Sequence, residues 1–119
     1  LRDLGRVGLL VLNKGMALGQ QVVPADFIED MHAQPGDPTW PYASTDDVEP
    51  YYRSFWWGEG NDERDLSGSG IHGQTLYVAP EAGIVIALYS TWPRADGDNN
   101  KQYWGANEGL MDAVVARFR

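Results

Sequence analysis

DLSGSGIHGQTLYVAPEAGIVIALYS, residues Asp65 to Ser90, is the stretch from which the fold is read. Ser67-Gly68-Ser69-Gly70-Ile71-His72-Gly73 is dense in glycine and reads as a turn; Thr75–Val78 after it is a short run of strand-formers. Pro80-Glu81-Ala82-Gly83 reads as a second turn, ahead of the apolar run Ile84–Tyr89. Two short apolar runs separated by proline and glycine chemistry predict a β-hairpin. The run IVIALY carries no alternation, which predicts a strand buried on both faces in the middle of a covered sheet. The first strand opens straight from the glycines. Glycine lets another group come close to the backbone, so the sheet is expected to present bare backbone along one edge.

Working outward, Tyr51–Trp57 (YYRSFWW) reads as a strand with aromatics on both faces, Trp56 and Trp57 pointing opposite ways. Gly58–Asp65 is an acidic loop, and Trp92–Lys101 a second loop. A final helix is expected from Asn107 or Glu108, with Leu110, Met111, Val114, Val115 and Phe118 as its apolar stripe. At the other end, Leu4, Val7, Leu10 and Val11 recur at helical spacing, and Leu9 and Leu12 widen the face, which predicts a buried helix. Gly5 and Gly8 inside it imply close packing on a neighbour, and Gly15 is placed at C′. Pro24 opens a second helix carrying Phe27, Ile28 and Met31 on one face, with Pro35-Gly36 as its stop. Gln34 to Pro50 is then a long connection whose Trp40, Pro41 and Tyr42 suit an ordered loop lining a cleft. Helix, helix, three strands, helix predicts an α+β fold: an antiparallel sheet flanked by helices.

The 119 residues allow one domain, and a net charge of −8 argues against nucleic acid or an anionic membrane surface as partner. No apolar run is long enough to span a bilayer. There is no cysteine, hence no thiol nucleophile or thiolate metal site. His32 and His72 have no carboxylate at a ligand spacing, and Asp96-Gly97-Asp98-Asn99-Asn100 lacks the glycine and glutamate of a calcium loop; no metal or cofactor is expected. The chain opens in helical sequence with no capping residue, from which a piece of a longer protein is expected. Such a piece, lacking neighbouring strands, is expected to expose a sheet edge and to be poorly stable or self-associating in isolation.

For catalysis the chain offers neither G-x-S-x-G nor S-x-x-K, so it holds no activated serine of its own. The glycine stretch remains. Acyl-transfer enzymes need backbone N–H groups aimed at a developing oxyanion, and a strand edge beside glycines supplies one. The other reading is a non-catalytic binding module, with Trp40, Trp56, Trp57 and Trp92 as an aromatic ligand face.

Three groups of residues together carry a resemblance. They are Arg2–Leu10 with Leu12-Asn13-Lys14-Gly15; Val23–Ile28; and Phe55-Trp56-Trp57-Gly58 followed by Gly68–Gln74, Tyr77–Glu81 and Ile84–Leu88. In order and spacing they resemble the C-terminal third of class C β-lactamase-like serine hydrolases, and the wording Gly-Ile-His-Gly-Gln is similar to the 6-aminohexanoate-dimer hydrolase branch. The resemblance implies that residues 1–119 are the C-terminal portion of one helix–sheet–helix domain, whose nucleophilic serine, lysine and tyrosine lie in earlier sequence. It implies cleavage of small amides or esters through an acyl-enzyme, with the rest of the same domain as partner. The family's K-T-G element falls on Gly68-Ser69-Gly70, and the backbone N–H of Ile71 becomes an oxyanion donor. No lysine stands at Gly68, which favours esterase or amidase use over β-lactam cleavage. Gly68, Ser69, Gly70, His72 and Trp57 are the implied substrate-binding residues. His72 either replaces the missing charge or hydrogen-bonds a loop; Trp57 is either a cleft wall or a sheet aromatic under the last helix.

Overall fold

The computed structural model describes residues 1–33, 50–61, 63–96 and 98–119. In chain order these form helix α1 (Arg2–Leu12), strands β1 (Met16–Ala17) and β2 (Gln20–Gln21), helix α2 (Ala25–Met31), strands β3 (Tyr51–Arg53), β4 (Trp56–Gly58) and β5 (Leu66–Gly70), a 3-10 turn (Ile71–Gly73), strands β6 (Gln74–Ala79) and β7 (Ile84–Leu88), a second 3-10 turn (Asp98–Asn100) and helix α3 (Lys101–Ala116). Strands β3 to β7 make one antiparallel sheet in sequential order, and β1 and β2 form a separate two-stranded ribbon. The architecture is α+β, as the sequence predicts. Most of the long loop assigned to Gln34–Pro50, with Trp40, Pro41 and Tyr42, lies outside the described residues.

Register decides which side chain meets which helix. Gly58, Leu66, Val78 and Val85 are cross-strand partners and share one face of the sheet. There Leu66 and Val78 pack with Val11 of α1 and with Ile28 and Met31 of α2 in a buried core, flanked by Trp56 and Val85. Fully burying each such side chain stabilises the fold by about 1.5–3 kcal/mol. Tyr51 lies over Gly58, where any Cβ would collide with its ring, and its hydroxyl donates to Met31 O at 3.2 Å. On the opposite face Tyr77 and Ala79 meet Met111 and Val115 of α3, with Ile84 and Ile86 alongside. The result is helix, sheet, helix.

Several expectations change. Of the turn expected over Ser67–Gly73, Ile71–Gly73 is a 3-10 turn but Ser67–Gly70 belongs to strand β5, all of which pairs with β6, so the ladder overrides the turn chemistry of Ser and Gly. Tyr51–Trp57 is two strands, because Ser54 and Phe55 both take positive φ (51° and 70°), the geometry of a tight two-residue hairpin. The run Ile84–Leu88 is half-buried and pairs only with β6, so among the described residues it is a sheet edge rather than the centre. Helix α1 is one-sided, burying Gly8 and Val11 while Val7 and Leu9 stay about half exposed (48% and 47%). Its end is a left-handed cap with Lys14, not Gly15, at C′: Lys14 N–H donates to Val11 O and Gly15 N–H to Leu10 O. Helix α2 ends at Met31, and α3 starts at Lys101, six residues before Asn107. Of its expected stripe only Met111 and Val115 are buried, while Leu110 and Phe118 are exposed.

Candidate functional site

Strands β4 and β5 pair at only two positions, Trp57 with Ser67 and Gly58 with Leu66. Beyond them the strands part, while β5 continues against β6 through Gly68–Leu76, Ser69–Thr75 and Gly70–Gln74. Among the described residues, one backbone edge of Gly68–Gly70 is therefore left without a strand partner. The gap is a cavity of about 410 Å³, lined on one side by Gly68, Ser69, Gly70, Gln74 and Thr75 and on the other by Tyr52, Phe55, Trp56 and Trp57. A Cβ at Gly68 would meet nothing within 4 Å, so the glycine keeps the strand bare rather than relieving a collision.

At the end of that edge the chain turns. Gly70 is extended (φ −127°, ψ 161°), and Ile71 opens the 3-10 turn with its side chain 68% exposed. None of the turn, loop and cap hydrogen bonds of the described residues is donated by the Ile71 N–H. His72 is left-handed (φ 58°, ψ 23°). Its N–H donates to Ala95 O at 3.0 Å and its carbonyl accepts from Trp92 N–H at 3.2 Å. Its Nδ1 lies 2.8 Å from Trp92 O. A carbonyl only accepts, so Nδ1 carries the proton in this contact. Of the two readings of His72, the hydrogen bond to a loop is the contact present.

Trp57 stands on the α3 face, edge-to-face with Tyr52 at 4.9 Å between ring centroids. Trp56 points to the α1 and α2 face, as alternation requires. Trp57 also borders a second hollow, which reaches Glu59, Trp104 and Glu108 at α3. The two readings of Trp57 thus merge, since it walls the cavity and lies towards the helix at once. Gly68, Ser69, Gly70 and Trp57 come together in one cavity; Ile71, next in the chain after Gly70, is not among its lining residues, and His72 hydrogen-bonds Trp92 and Ala95 instead. Tyr52, Phe55, Gln74 and Thr75 were missed as wall residues. Cross-strand register carries that information, and a sequence read as one strand and one turn does not show it.

Electrostatics around the site come from carboxylates. Asp65, just ahead of β5 and almost fully buried, accepts from Tyr77 Oη at 2.8 Å, Asn61 Nδ2 at 3.0 Å and Arg119 at 2.5 Å. Burial first, and then the bond to Asp65, push the Tyr77 hydroxyl far above its ordinary range, so it stays a donor. Glu59 sits behind Ser67, and burial raises its carboxyl above the usual glutamate value against a hydrogen bond from Ser67. Hydrogen bonds from Arg53 and then Ser54 hold Asp30 below its usual range. Among the described residues no three His, Cys, Asp or Glu side chains gather to hold a metal ion.

Comparison with known proteins follows the same outline. No family model matches the chain. It is 35% identical over 117 residues to the 6-aminohexanoate-dimer hydrolase of Paenarthrobacter ureafaciens, covering 92% of this chain and 28% of that protein. A solved structure from Bacillus anthracis, provisionally assigned as a 6-aminohexanoate-dimer hydrolase, superposes with a TM-score of 0.70 at 26% identity, over 95% of this chain and 28% of that one. The fold is therefore that of part of a β-lactamase-like hydrolase sandwich, and the chain spans about a quarter of the length of these relatives.

Proposed function

We propose, for a chain similar along almost its whole length to 6-aminohexanoate-dimer hydrolases, that it forms the oxyanion strand and one cleft wall of a serine hydrolase acting on small linear amides or esters. The observation that carries this is the edge of Gly68–Gly70, unpaired among the described residues, open to an aromatic-walled cavity and followed in the chain by Ile71. An extended substrate can lie along that edge as an added strand, its backbone or chain amide bonded to β5. Its methylene segments would contact Trp57 and Tyr52, and its scissile carbonyl oxygen would reach Ile71 N–H.

The nucleophilic serine, with its lysine and tyrosine, comes in this proposal from sequence outside residues 1–119, since these contain no S-x-x-K. The serine Oγ attacks the carbonyl carbon, and Ile71 N–H together with the serine's own N–H stabilises the oxyanion. Collapse expels the amine or alcohol, and water then releases the acid from the acyl-enzyme. The remainder of the same domain is thus the required partner. Absence of lysine at Gly68 removes the cation that would hold a β-lactam carboxylate, which favours linear amides and esters.

The test uses the full-length protein with a serine-directed acylating probe and the linear 6-aminohexanoate dimer. Stoichiometric labelling of one serine with amine release is expected. Dimer-dependent quenching of tryptophan fluorescence with neither labelling nor hydrolysis would instead establish a binding module and end the catalytic reading.

A further inference from the structure

We propose that His72 is a positioning residue, which fixes the direction of the Ile71 N–H by clasping the 3-10 turn to residues 92–95. The proposal rests on Ile71 being the oxyanion donor. Three hydrogen bonds converge on this one residue: main-chain donation to Ala95 O, main-chain acceptance from Trp92 N–H, and the ring Nδ1–H to Trp92 O. They hold His72 in a left-handed conformation that costs a residue with a Cβ about 1–2 kcal/mol. A cost of that kind persists only where the surroundings over-determine the backbone.

The clasp is anchored at both of its ends. Trp92 is 8% exposed and lies flat on Gly73, where any Cβ would strike the indole. It also meets Tyr103 and Trp104 of α3, at centroid distances of 6.4 and 6.0 Å. Beyond it, buried Asn100 donates its side-chain amide to Arg94 O at 2.8 Å and Asp96 O at 2.5 Å. The segment His72 grips is therefore fixed to the helix layer. Among the described residues, the Ile71 N–H donates none of the turn, loop and cap hydrogen bonds. The orientation of its N–H is inherited from the residue that follows.

This role needs a donor on the ring but no positive charge, which separates it from substrate binding by an imidazolium. The test is made in the full-length enzyme with His72→Gly and His72→Asn. Both substitutions tolerate φ > 0, so both should fold, and only Asn keeps a side-chain donor for Trp92 O. For His72→Gly, kcat is expected to fall about tenfold to a hundredfold with KM little changed, and equally for a linear amide with and without a terminal carboxylate. His72→Asn is expected to recover most of the loss. A KM rise confined to the carboxylate-bearing amide, with Asn no better than Gly, would overturn the proposal. So would a wild-type kcat for His72→Gly. Ile71→Pro is run in parallel: if it kept its kcat, the oxyanion reading itself would fail, whereas a slow Ile71→Pro beside a normal His72→Gly would refute only the positioning role.

Discussion

Replacing Ile71 by proline removes one atom that the proposed chemistry needs and little that the fold needs. Proline lacks the N–H and fixes φ near −65°, which suits the first residue of a helical turn, where the N–H is unused by the turn itself. The residue before proline is pushed to extended backbone, and Gly70 is already there at φ −127°, ψ 161°. The Ile71 side chain is 68% exposed, so little apolar burial is lost. The fold should therefore survive, and the cost should fall on the transition state. Losing one oxyanion donor costs about a hundred- to a thousandfold in rate, equivalent to roughly 2.7–4 kcal/mol. The oxyanion is absent from the bound substrate, so kcat should carry the loss and KM should not. The assay is amine release from a linear amide by the full-length enzyme, with Ile71→Ala, which keeps the N–H, as control. Melting temperature and near-UV dichroism monitor the fold. A folded proline variant whose kcat stays within about threefold of wild type, under about 1 kcal/mol, would refute the assignment of Ile71 as donor.

Three stability predictions rest on different parts of the molecule. Gly5 has open space where a Cβ would be, so Gly5→Ala should gain about 1 kcal/mol of helix propensity, while Gly8→Ala meets Val85 and Leu76 and should lose about 0–2 kcal/mol after a packing cost of about 1–3; urea unfolding at constant m reads both, and equal shifts would contradict the packing. Glu59 is held above its unfolded value chiefly by burial, so the native state binds the extra proton and stability falls as pH rises through the interval between the two values. Glu59→Gln should therefore stabilise the protein at neutral pH and lose that advantage in acid below the unfolded glutamate value, as melts across that range would show. Phe55 is 85% exposed at φ 70°, and Phe55→Gly should stabilise the fold by about 1 kcal/mol, left-handed strain outweighing the added chain entropy; a lower melting temperature would mean that the ring packs where its exposure says it does not.

How much of this was legible follows from which interactions are local. The hairpin of β6 and β7 was readable because strand-formers and a proline-glycine turn alternate within fifteen residues of sequence, Gln74–Ala79 to Ile84–Leu88 bracketing Pro80–Gly83. The opposed faces of Trp56 and Trp57 followed from periodicity alone, as did the burial of Ile28 and Met31, although Phe27, assigned to the same face, is exposed. What failed was non-local. Whether Leu66–Gly70 is turn or strand depends on β6 lying beside it, which no local propensity reports. The turn inside Tyr51–Trp57 has Ser-Phe where Asn-Gly would announce it, and it survives through contacts made twenty-odd residues away. The start of α3 was set late because Lys101–Ala106 contains Gly105 and aromatics rather than an apolar stripe; Trp104 bonds Glu108 one turn on, and Trp92 packs on Tyr103 and Trp104. Bare backbone along a sheet edge was expected from Gly68 and Gly70, and the edge is there. Its width was not readable, because it is set by where β4 is held.

That last point explains why the candidate site is open at all. Strand edges zip up when a partner is near, since unpaired N–H and C=O groups lose hydrogen bonds, and β4 is adjacent to Gly68–Gly70 in sheet order. β4, however, begins at Trp56 directly after the Ser54–Phe55 turn, so in this register it has no strand residue to place opposite Ser69 and Gly70. Asp30 of α2 accepts from Arg53 at 2.5 Å and from Ser54 Oγ at 3.0 Å, drawing the tip towards the helix layer. With its tip fixed there, β4 meets β5 only at Trp57 and Gly58 and diverges at Trp56 and Phe55. Ser54 and Phe55 carry the positive φ that the two-residue turn requires, a backbone cost with no packing return for the exposed phenyl ring. The short hairpin thus leaves part of β5 without a partner among the described residues and a cavity beside it, while Asp30 of α2 anchors its tip. In the function proposed above, an extended ligand laid along Gly68–Gly70 would complete the ladder that β4 leaves short.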